Sequence, residues 1–194
     1  MDAAVSELRL SLPPETRQKL LEHYRLLVQW NQRVALTTIR DPREIAQRHF
    51  AESLFVAARI PEGVQTILDV GSGPGFPGLP IAAFRPDIQV TAVESVQRKA
   101  VFLREASRNW GNVGVRNERI EALEGQWDAS VMRAVAVREV LPELARLSRR
   151  CGLLVGEEGV EEARGSALFH WNDPIPTPWG ERRYLLWGQQ VPLP

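Results

Sequence analysis

Short apolar runs alternate with segments of helical periodicity from residue 67 onward. Each run is four or five residues long, which suits a buried strand. The runs cover residues 67–70, 90–93, 113–116, 127–131 and 152–156. Residues 96–110 and 137–150 repeat apolar side chains at helical spacing, which indicates amphipathic helices. This alternation predicts an α/β fold built on a parallel sheet.

The region after the fifth run is interrupted by prolines. Pro174, Pro176 and Pro178 predict an irregular connection, because proline lacks a backbone N–H and fixes φ. Residues 183–187 then have the composition of a strand. We expect this strand to lie antiparallel to its neighbour in the sheet.

The first sixty residues predict helices. Apolar side chains between residues 14 and 33 recur at helical spacing; they are Leu20, Leu21, Tyr24, Leu27 and Val28. A second helix is expected to begin at Asp41 as N-cap, with Pro42 at its first position. A segment this short cannot bury a core of its own. Residues 1–62 are therefore expected to form a helical cap packed on a core of residues 63–194, as one compact unit.

Composition narrows the expected function classes. The 194 residues carry 24 basic and 24 acidic side chains, so a surface for nucleic acid must be a local patch. No stretch resembles a signal peptide, and none approaches the ~20 apolar residues of a membrane span. Cys151 is the single cysteine, which excludes an intramolecular disulfide and a cysteine metal cluster. The expectation is a cytoplasmic, metal-free monomer without membrane contact.

A glycine-rich turn between the first two strands carries the main chemical signal. The order of strand, turn, helix, strand and acidic residue is that of the mononucleotide half of a Rossmann-like unit. Gly71, Gly73 and Gly75 can adopt positive φ, and without Cβ atoms they let a ligand approach the backbone. Glu94 ends the second strand about 20 residues later, where a carboxylate accepts hydrogen bonds from a ribose. The pattern predicts a nucleoside-bearing cofactor.

The identity of that cofactor is open to two interpretations. Gly73, Gly75 and Gly78 also fit the spacing of a dinucleotide-binding loop, which would indicate a nicotinamide or flavin cofactor. However, Pro74, Phe76 and Pro77 crowd the surface that a pyrophosphate would cross. Pro77 also removes a backbone N–H. The loop therefore better suits a ligand without phosphates.

Several motifs resemble one family. The turn, DVGSGPGFPG at residues 69–78, is similar to the first motif of S-adenosylmethionine-dependent methyltransferases, and its FPG ending resembles the bacterial 16S ribosomal RNA guanine-N7 methyltransferases called glucose-inhibited division protein B. Further similar stretches are WNQRVALT at 30–37, RHFAESL at 48–54, ESVQRKAVFL at 94–103, RIE at 119–121 and MRA at 132–134. Departures from the family pattern are Ala35, Glu52, Met132, and the acidic pair Glu157 and Glu158.

The resemblance implies a fold and a set of site residues. The fold would be a Rossmann-like S-adenosylmethionine-dependent methyltransferase sheet with an N-terminal helical cap. Residues expected to bind S-adenosyl-L-methionine are Gly71, Gly73, Gly75, Phe76, Glu94, Ser95, Val96, Ile120, Glu121 and Arg133. Ser95 is also expected to cap the following helix. Arg48, His49 and Arg133 are expected to contact the substrate, which would be 16S ribosomal RNA or the small-subunit particle.

The implied reaction explains why no catalytic residue is assigned. Guanine N7 carries a lone pair and no proton, so the enzyme needs orientation rather than a general base. Three alternatives remain at this point. The chain could methylate a small molecule or another RNA, which its neutral charge and Glu157 with Glu158 favour; it could be a nicotinamide-dependent oxidoreductase; or it could bind the cofactor without turnover.

Overall fold

The computed structural model describes residue 8 and residues 10–133, 136–179 and 182–191. Ala134 of the MRA motif lies outside the described residues. Among the described residues, the helical segments before the sheet are α1 (Pro14–Asn31), α2 (Pro42–Ile45), a π-helical turn (Ala46–Ala51) and α3 (Glu52–Ala57). The predicted N-cap is confirmed, because the Asp41 carboxylate accepts hydrogen bonds from two backbone N–H groups at the start of α2.

The sheet and its helices follow from residue 66. The strands are β1 (Thr66–Val70), β2 (Gln89–Val93), β3 (Val113–Arg116), β4 (Ala129–Arg133), β5 (Arg150–Gly156), β6 (Phe169–Trp171), β7 (Ile175–Pro176) and β8 (Arg183–Gln190). The helices are α4 (Gly78–Phe84), α5 (Gln97–Ala106), α6 (Val137–Leu147) and α7 (Glu157–Arg164), with a 3-10 turn at Ile120–Ala122.

The strand order is β3-β2-β1-β4-β5-β8-β6, and β7 pairs with β8. Strands β1 to β5 run parallel, as predicted. Strand β8 is antiparallel to β5, which confirms the expectation for the tail. Because β1 has β2 on one side and β4 on the other, the chain reverses its direction of strand addition at β1. The crevice at the carboxyl ends of β1 and β4 is where such sheets place ligands.

Some predicted boundaries were wrong. The fourth strand starts at Ala129, two residues later than predicted, because Asp128 turns back to accept hydrogen bonds from the backbone N–H groups of Gln65 and Thr66. The strand also ends two residues later than predicted, so that Arg133 is its last residue. Helices α5 and α6 end earlier than predicted, and α7, β6 and β7 were not predicted.

The cap and the sheet share one hydrophobic cluster. Leu20 and Leu27 of α1 and Phe50 of the π-helical turn pack in the same cluster as Ile67 of β1 and Phe102 of α5. The buried face of α1 consists of Thr16, Leu20, His23 and Leu27. The predicted face was therefore wrong in part, since Val28 is 39% exposed.

Across the described ranges, no helix combines the length and the apolar character that crossing a membrane requires.

Candidate functional site

The glycine-rich turn has the predicted backbone. Gly71, Gly73 and Gly75 have φ angles of 66°, 56° and 94°, a region that L side chains rarely adopt. A Cβ atom at Gly73 would find only the carbonyl oxygen of Gly71, 3.8 Å away. The space beside this glycine is thus open to a ligand.

The Asp69 side chain accepts hydrogen bonds from the glycine-rich turn, a role that the sequence analysis missed. Its carboxylate is fully buried and accepts a 3.0 Å hydrogen bond from the N–H of Gly78 and another from the hydroxyl of Ser72. Burial raises the pKa of Asp69 to about 6, although these two bonds oppose the rise. No other residue type fits at position 78 without a shift, since a Cβ atom there would overlap the Asp69 carboxylate. The sequence signal for this role was an acidic residue two positions before the first glycine of the turn.

Glu94 connects the turn to the start of α5. One carboxylate oxygen accepts a 2.9 Å hydrogen bond from the N–H of Gly73, and the other accepts a 2.8 Å bond from the N–H of Val96. Each oxygen retains a lone pair that can accept from a hydroxyl. The predicted cap by Ser95 was wrong, because no side chain caps α5 and the Glu94 carboxylate takes the Val96 N–H instead.

A first cavity of about 230 Å³ opens at the carboxyl ends of β1 and β2. Five of its lining residues bear on the sequence expectations; they are Gly71, Ser95, Arg119, Ile120 and Glu121. Ile120 and Glu121, expected beside an adenine, stand in the 3-10 turn at one side of this cavity. Gly73 and Glu94 are not among its lining residues, although their neighbours Gly71, Val93 and Ser95 are. The open side of Gly73, the Glu94 carboxylate and the side chains of the 3-10 turn together could hold a nucleoside without phosphates.

A second cavity of about 440 Å³ lies between the cap and the sheet. Its ionisable lining residues are Arg48, His49, Glu52, Lys99, Arg133 and Arg183. The structure thus brings together Arg48, His49 and Arg133, as the sequence analysis expected. Lys99 also lines this cavity.

Arg133 is held by three acceptors from the cap. One terminal nitrogen donates to the Arg48 carbonyl and, over 3.4 Å, to the Glu52 carboxylate. The other donates to Nδ1 of His49 over 2.6 Å. The guanidinium carbon lies 5.8 Å from the ring centre of Phe76, within cation–π distance. The guanidinium is consequently fixed before any substrate arrives.

His49 is a neutral imidazole in this arrangement. A guanidinium can only donate, so Nδ1 of His49 must accept from Arg133. Nε2 then carries the proton and donates to the Thr37 hydroxyl over 2.9 Å. Burial, with the charge of Arg133, lowers the pKa of His49 to about 3. With 3% of its surface exposed and both ring nitrogens hydrogen-bonded, His49 positions Arg133 and is not free to act as a base.

Asn31 fixes the loop that carries Thr37. Its side-chain oxygen accepts hydrogen bonds from the N–H groups of Leu36 and Thr37, and its amide donates to the Thr37 carbonyl. A chain of hydrogen bonds therefore runs from the end of α1 through Thr37 and His49 to Arg133. The WNQRVALT stretch gains a physical role from this chain, which a periodicity analysis cannot detect.

Phe76 lies inside the cap, between two histidines. Its ring stacks on His49 with centres 4.6 Å apart and on His23 with centres 4.8 Å apart. His23 donates from Nε2 to the Pro74 carbonyl over 2.7 Å, and burial lowers its pKa to about 4. The ring of Phe76 thus anchors the glycine-rich turn to the cap. Sequence analysis missed His23, which lies on the buried face of α1.

The remaining expected residues have surface positions. Val96 is 39% exposed and contributes its N–H to Glu94. Arg48 forms a 2.9 Å ion pair with Glu44, one turn earlier. Among the described residues, no group of three or more His, Cys, Asp or Glu side chains could hold a metal ion.

Proteins with similar sequences are named as ribosomal RNA methyltransferases. The family described as rRNA small subunit methyltransferase G (GidB) matches residues 16–160. Proteins named ribosomal RNA small subunit methyltransferase G from Methylobacillus flagellatus and Xanthomonas euvesicatoria are 37% and 42% identical to the chain over 164 and 146 residues. These alignments cover 82% and 73% of this chain and 79% and 68% of the two relatives.

Solved structures share the fold at low sequence identity. A SAM-dependent methyltransferase from Aquifex aeolicus superposes with a TM-score of 0.63 at 15% identity, covering 81% of this chain and 97% of that one. Magnesium protoporphyrin IX methyltransferase from Synechocystis, solved with bound SAM, gives 0.60 at 14% identity, covering 87% and 97%. The fold is therefore the Rossmann-like methyltransferase sheet that the sequence predicted, and the dinucleotide alternative is set aside. The chain belongs to the GidB family, the rRNA small subunit methyltransferases G.

Proposed function

We propose that this protein transfers a methyl group from S-adenosyl-L-methionine to N7 of a guanine in 16S ribosomal RNA. The observation that carries the proposal is the neutral His49, whose two ring nitrogens are both engaged, beside a fixed arginine at the mouth of the second cavity. Such a site can orient an acceptor, whereas its histidine is not free to remove a proton. An acceptor nitrogen with a free lone pair, as in guanine N7, suits it.

The first cavity is the proposed cofactor site. When bound there, S-adenosyl-L-methionine supplies an electrophilic methyl group. The open face of Gly73 admits the ligand close to the backbone, and Glu94 retains lone pairs for the ribose hydroxyls. Ile120 and Glu121 flank the adenine in this proposal.

The second cavity is the proposed acceptor site. Arg133, fixed by Arg48, His49 and Glu52, presents a rigid guanidinium that can stack on a base or donate to guanine O6. Holding N7 in line with the methyl group supplies much of the rate. Since the cavity takes residues from both parts, we also propose that the cap, 1–62, and the core, 63–194, work as one compact unit.

The setting of the reaction is part of the proposal. We propose that the acceptor is 16S ribosomal RNA or the small-subunit particle, that the protein acts as a monomer, and that it works in the cytoplasm. The family description and the arginine-rich second cavity support an RNA acceptor.

A small molecule or another RNA is the alternative acceptor. Glu158 lines a neighbouring cavity and Glu157 lies 3.6 Å from Arg182, so acidic groups stand near the proposed RNA surface. These carboxylates would repel phosphates from that side.

Labelled methyl transfer tests the proposal. The protein is incubated with labelled S-adenosyl-L-methionine and, separately, with small-subunit RNA from cells that lack this protein, small-subunit particles from the same cells, and a metabolite extract. Label in the RNA or particle, recovered as 7-methylguanosine after nuclease digestion, is expected. Label in the metabolite extract alone would favour the small-molecule alternative, and label in neither would favour a binding module.

A further inference from the structure

Arg183 lines the second cavity and comes from the C-terminal part of the chain, whereas most of the lining comes from the cap. It starts β8, beyond residues 16–160, which the family model matches. Its side chain is 26% exposed and borders both the second cavity and a neighbouring cavity of about 310 Å³. Neither the cofactor site nor the positioning of Arg133 requires a second guanidinium here.

Arg183 and Arg133 share a single carboxylate. Terminal nitrogens of the two arginines donate to the same oxygen of Glu52, over 3.2 Å and 3.4 Å, and Nε of Arg183 lies 3.1 Å from the other oxygen. Glu52 is 1% exposed; burial raises its pKa, and the two guanidinium groups oppose that rise. Glu52 lies at ion-pair distance from both arginines and can balance at most one of their charges. One positive charge of this trio remains uncompensated.

The surroundings add to this excess charge. Lys99 lines the same cavity, as does Arg48, whose charge Glu44 balances. A chain with 24 basic and 24 acidic residues therefore concentrates positive charge at this one cavity. Local charge of this kind attracts phosphate groups.

The two arginines differ in how accessible they are. The Arg133 side chain is 14% exposed and has three acceptors in the cap, whereas Arg183 is 26% exposed and faces Glu52 with two of its nitrogens. A guanidinium has five N–H donors in a fork that matches phosphate oxygens. Arg183 thus keeps donors for a further anion, while Arg133 is committed to its position.

We propose that Arg183 binds a backbone phosphate of the RNA next to the target nucleotide, while Arg133 faces the base. This assignment rests on the proposed RNA acceptor. Glu52 would then align two guanidinium groups for two different parts of one nucleotide segment. The role is phosphate binding, which predicts a salt dependence that a purely structural ion pair does not.

The test compares Arg183→Gln with Arg182→Gln. Arg182 is the adjacent arginine, its side chain is 77% exposed, and it lies close to Glu157 rather than Glu52. Binding of small-subunit RNA is measured for each protein at several salt concentrations, with S-adenosyl-L-methionine affinity and melting temperature as separate readouts. For Arg183→Gln we expect roughly tenfold weaker RNA binding at low salt and a slope of log affinity against log salt that is smaller by about 0.7 to 0.9. Arg182→Gln should keep the wild-type slope.

Other outcomes separate the possible failures. Weaker binding by Arg183→Gln with an unchanged salt slope would overturn the proposal and leave Arg183 as support for Glu52. Arg183→Lys keeps the charge and should keep the slope. If wild-type protein binds small-subunit RNA but methylates none, the proposed function fails while the slope comparison still decides the role of Arg183.

A second measurement needs no variant. RNA fragments that the wild-type protein methylates are synthesised with a neutral methylphosphonate at one phosphate on either side of the target guanine. One of these replacements should reduce the salt slope of wild-type binding by the same amount as Arg183→Gln. Unchanged slopes for both replacements would overturn the proposal.

Discussion

The two cavities of this protein are built in different ways. The first is lined by residues from three stretches, 70–95, 118–121 and 139–140, and the glycine-rich turn beside it is held by backbone N–H groups that donate to Asp69 and Glu94. The second is lined by side chains from widely separated positions, from Thr37 to Arg183, joined by hydrogen bonds and shared charges. The shape of the first cavity therefore depends on backbone conformation, whereas the shape of the second depends on hydrogen bonds and ion pairs between side chains.

This difference decides how each cavity should respond to substitution. A change in the first cavity acts locally, on the shape that admits the cofactor. A change in the second cavity spreads along a network, because each side chain there positions the next. Binding of the cofactor and transfer of the methyl group should therefore be separable by mutation.

The largest effect is expected for Gly73→Val. Gly73 has positive φ and an open side toward the proposed cofactor, so the valine side chain would both strain the turn and occupy the ligand space. S-adenosyl-L-methionine affinity, measured by calorimetry, should fall more than about 100-fold. Gly63→Val is the matched control, since Gly63 has a φ of 79° and open space outside both cavities. Equal loss of affinity in both variants would contradict the assignment of Gly73.

Arg133→Ala should separate the two cavities. Removing the fixed guanidinium should lower the methyl transfer rate by about 100-fold, because the acceptor loses its orientation. Cofactor affinity should change little, since Arg133 lines the second cavity and not the first. Arg85→Ala, which removes a surface partner of Asp87, controls for the loss of an arginine. Unchanged turnover in Arg133→Ala would remove Arg133 from the site.

Acidification should affect the two buried histidines and the buried Asp69 with opposite sign. His23 and His49, in the cap, have pKa values lowered to about 4 and about 3, so on acidification below about 6.5 the unfolded chain takes up their protons first. The free energy of unfolding then decreases as the pH falls. Asp69, in the turn, has a pKa raised to about 6, so the folded chain takes up that proton first and stability is gained. The histidines prevail, with a net loss of about 2 kcal/mol, roughly 30-fold in the unfolding constant, between pH 7 and pH 5.

Urea denaturation across this pH range measures the loss. His23→Gln should flatten the profile, whereas His170→Gln, at the surface, should leave it unchanged. A wild-type stability that rises on acidification would contradict two neutral buried histidines.

The smallest effect is expected for Thr37→Val. The substitution removes the hydroxyl that accepts from His49, costing about 1 kcal/mol. Arg133 should then lose part of its support, and methyl transfer should fall roughly fivefold with unchanged cofactor affinity. Thr38→Val is the control, because it removes a neighbouring exposed hydroxyl of the same cavity rather than the one that accepts from His49. An equal response of both variants would show that the hydroxyl of Thr37 does not position Arg133.

The sequence allowed the first cavity to be predicted in some detail. Glycines, an acidic residue and two apolar runs stand at fixed spacings in one stretch, so local geometry determines what they form. Gly71 and Glu94 were predicted in this way; the positive φ of Gly71 agrees with the expectation, and the binding of a ribose by Glu94 stays a prediction. Asp69 was overlooked because its function is to accept N–H groups from the turn, which the glycine pattern does not specify.

For the second cavity, the sequence predicted some of the residues that take part but not how they contact one another. Arg48, His49 and Arg133 were expected at the substrate, but the direction of each hydrogen bond depends on partners distant in sequence. The contacts of His23 and Thr37 could not be read from spacing, since one packs in a helix face among apolar residues and the other lies within a loop. Glu52 was noticed only as a departure from the family pattern; its two arginine partners emerge from the sheet order, which places β8 beside β5 and β5 beside β4.

The position of β8 has a consequence for synthesis of the chain. The lining of the first cavity is complete once residue 140 has been made, but Arg183 joins Glu52 only when the antiparallel strand folds back onto β5. A nascent chain can thus assemble its nucleoside pocket well before its full RNA surface exists. Translation itself would keep the growing enzyme from engaging its acceptor until the final strand has left the ribosome.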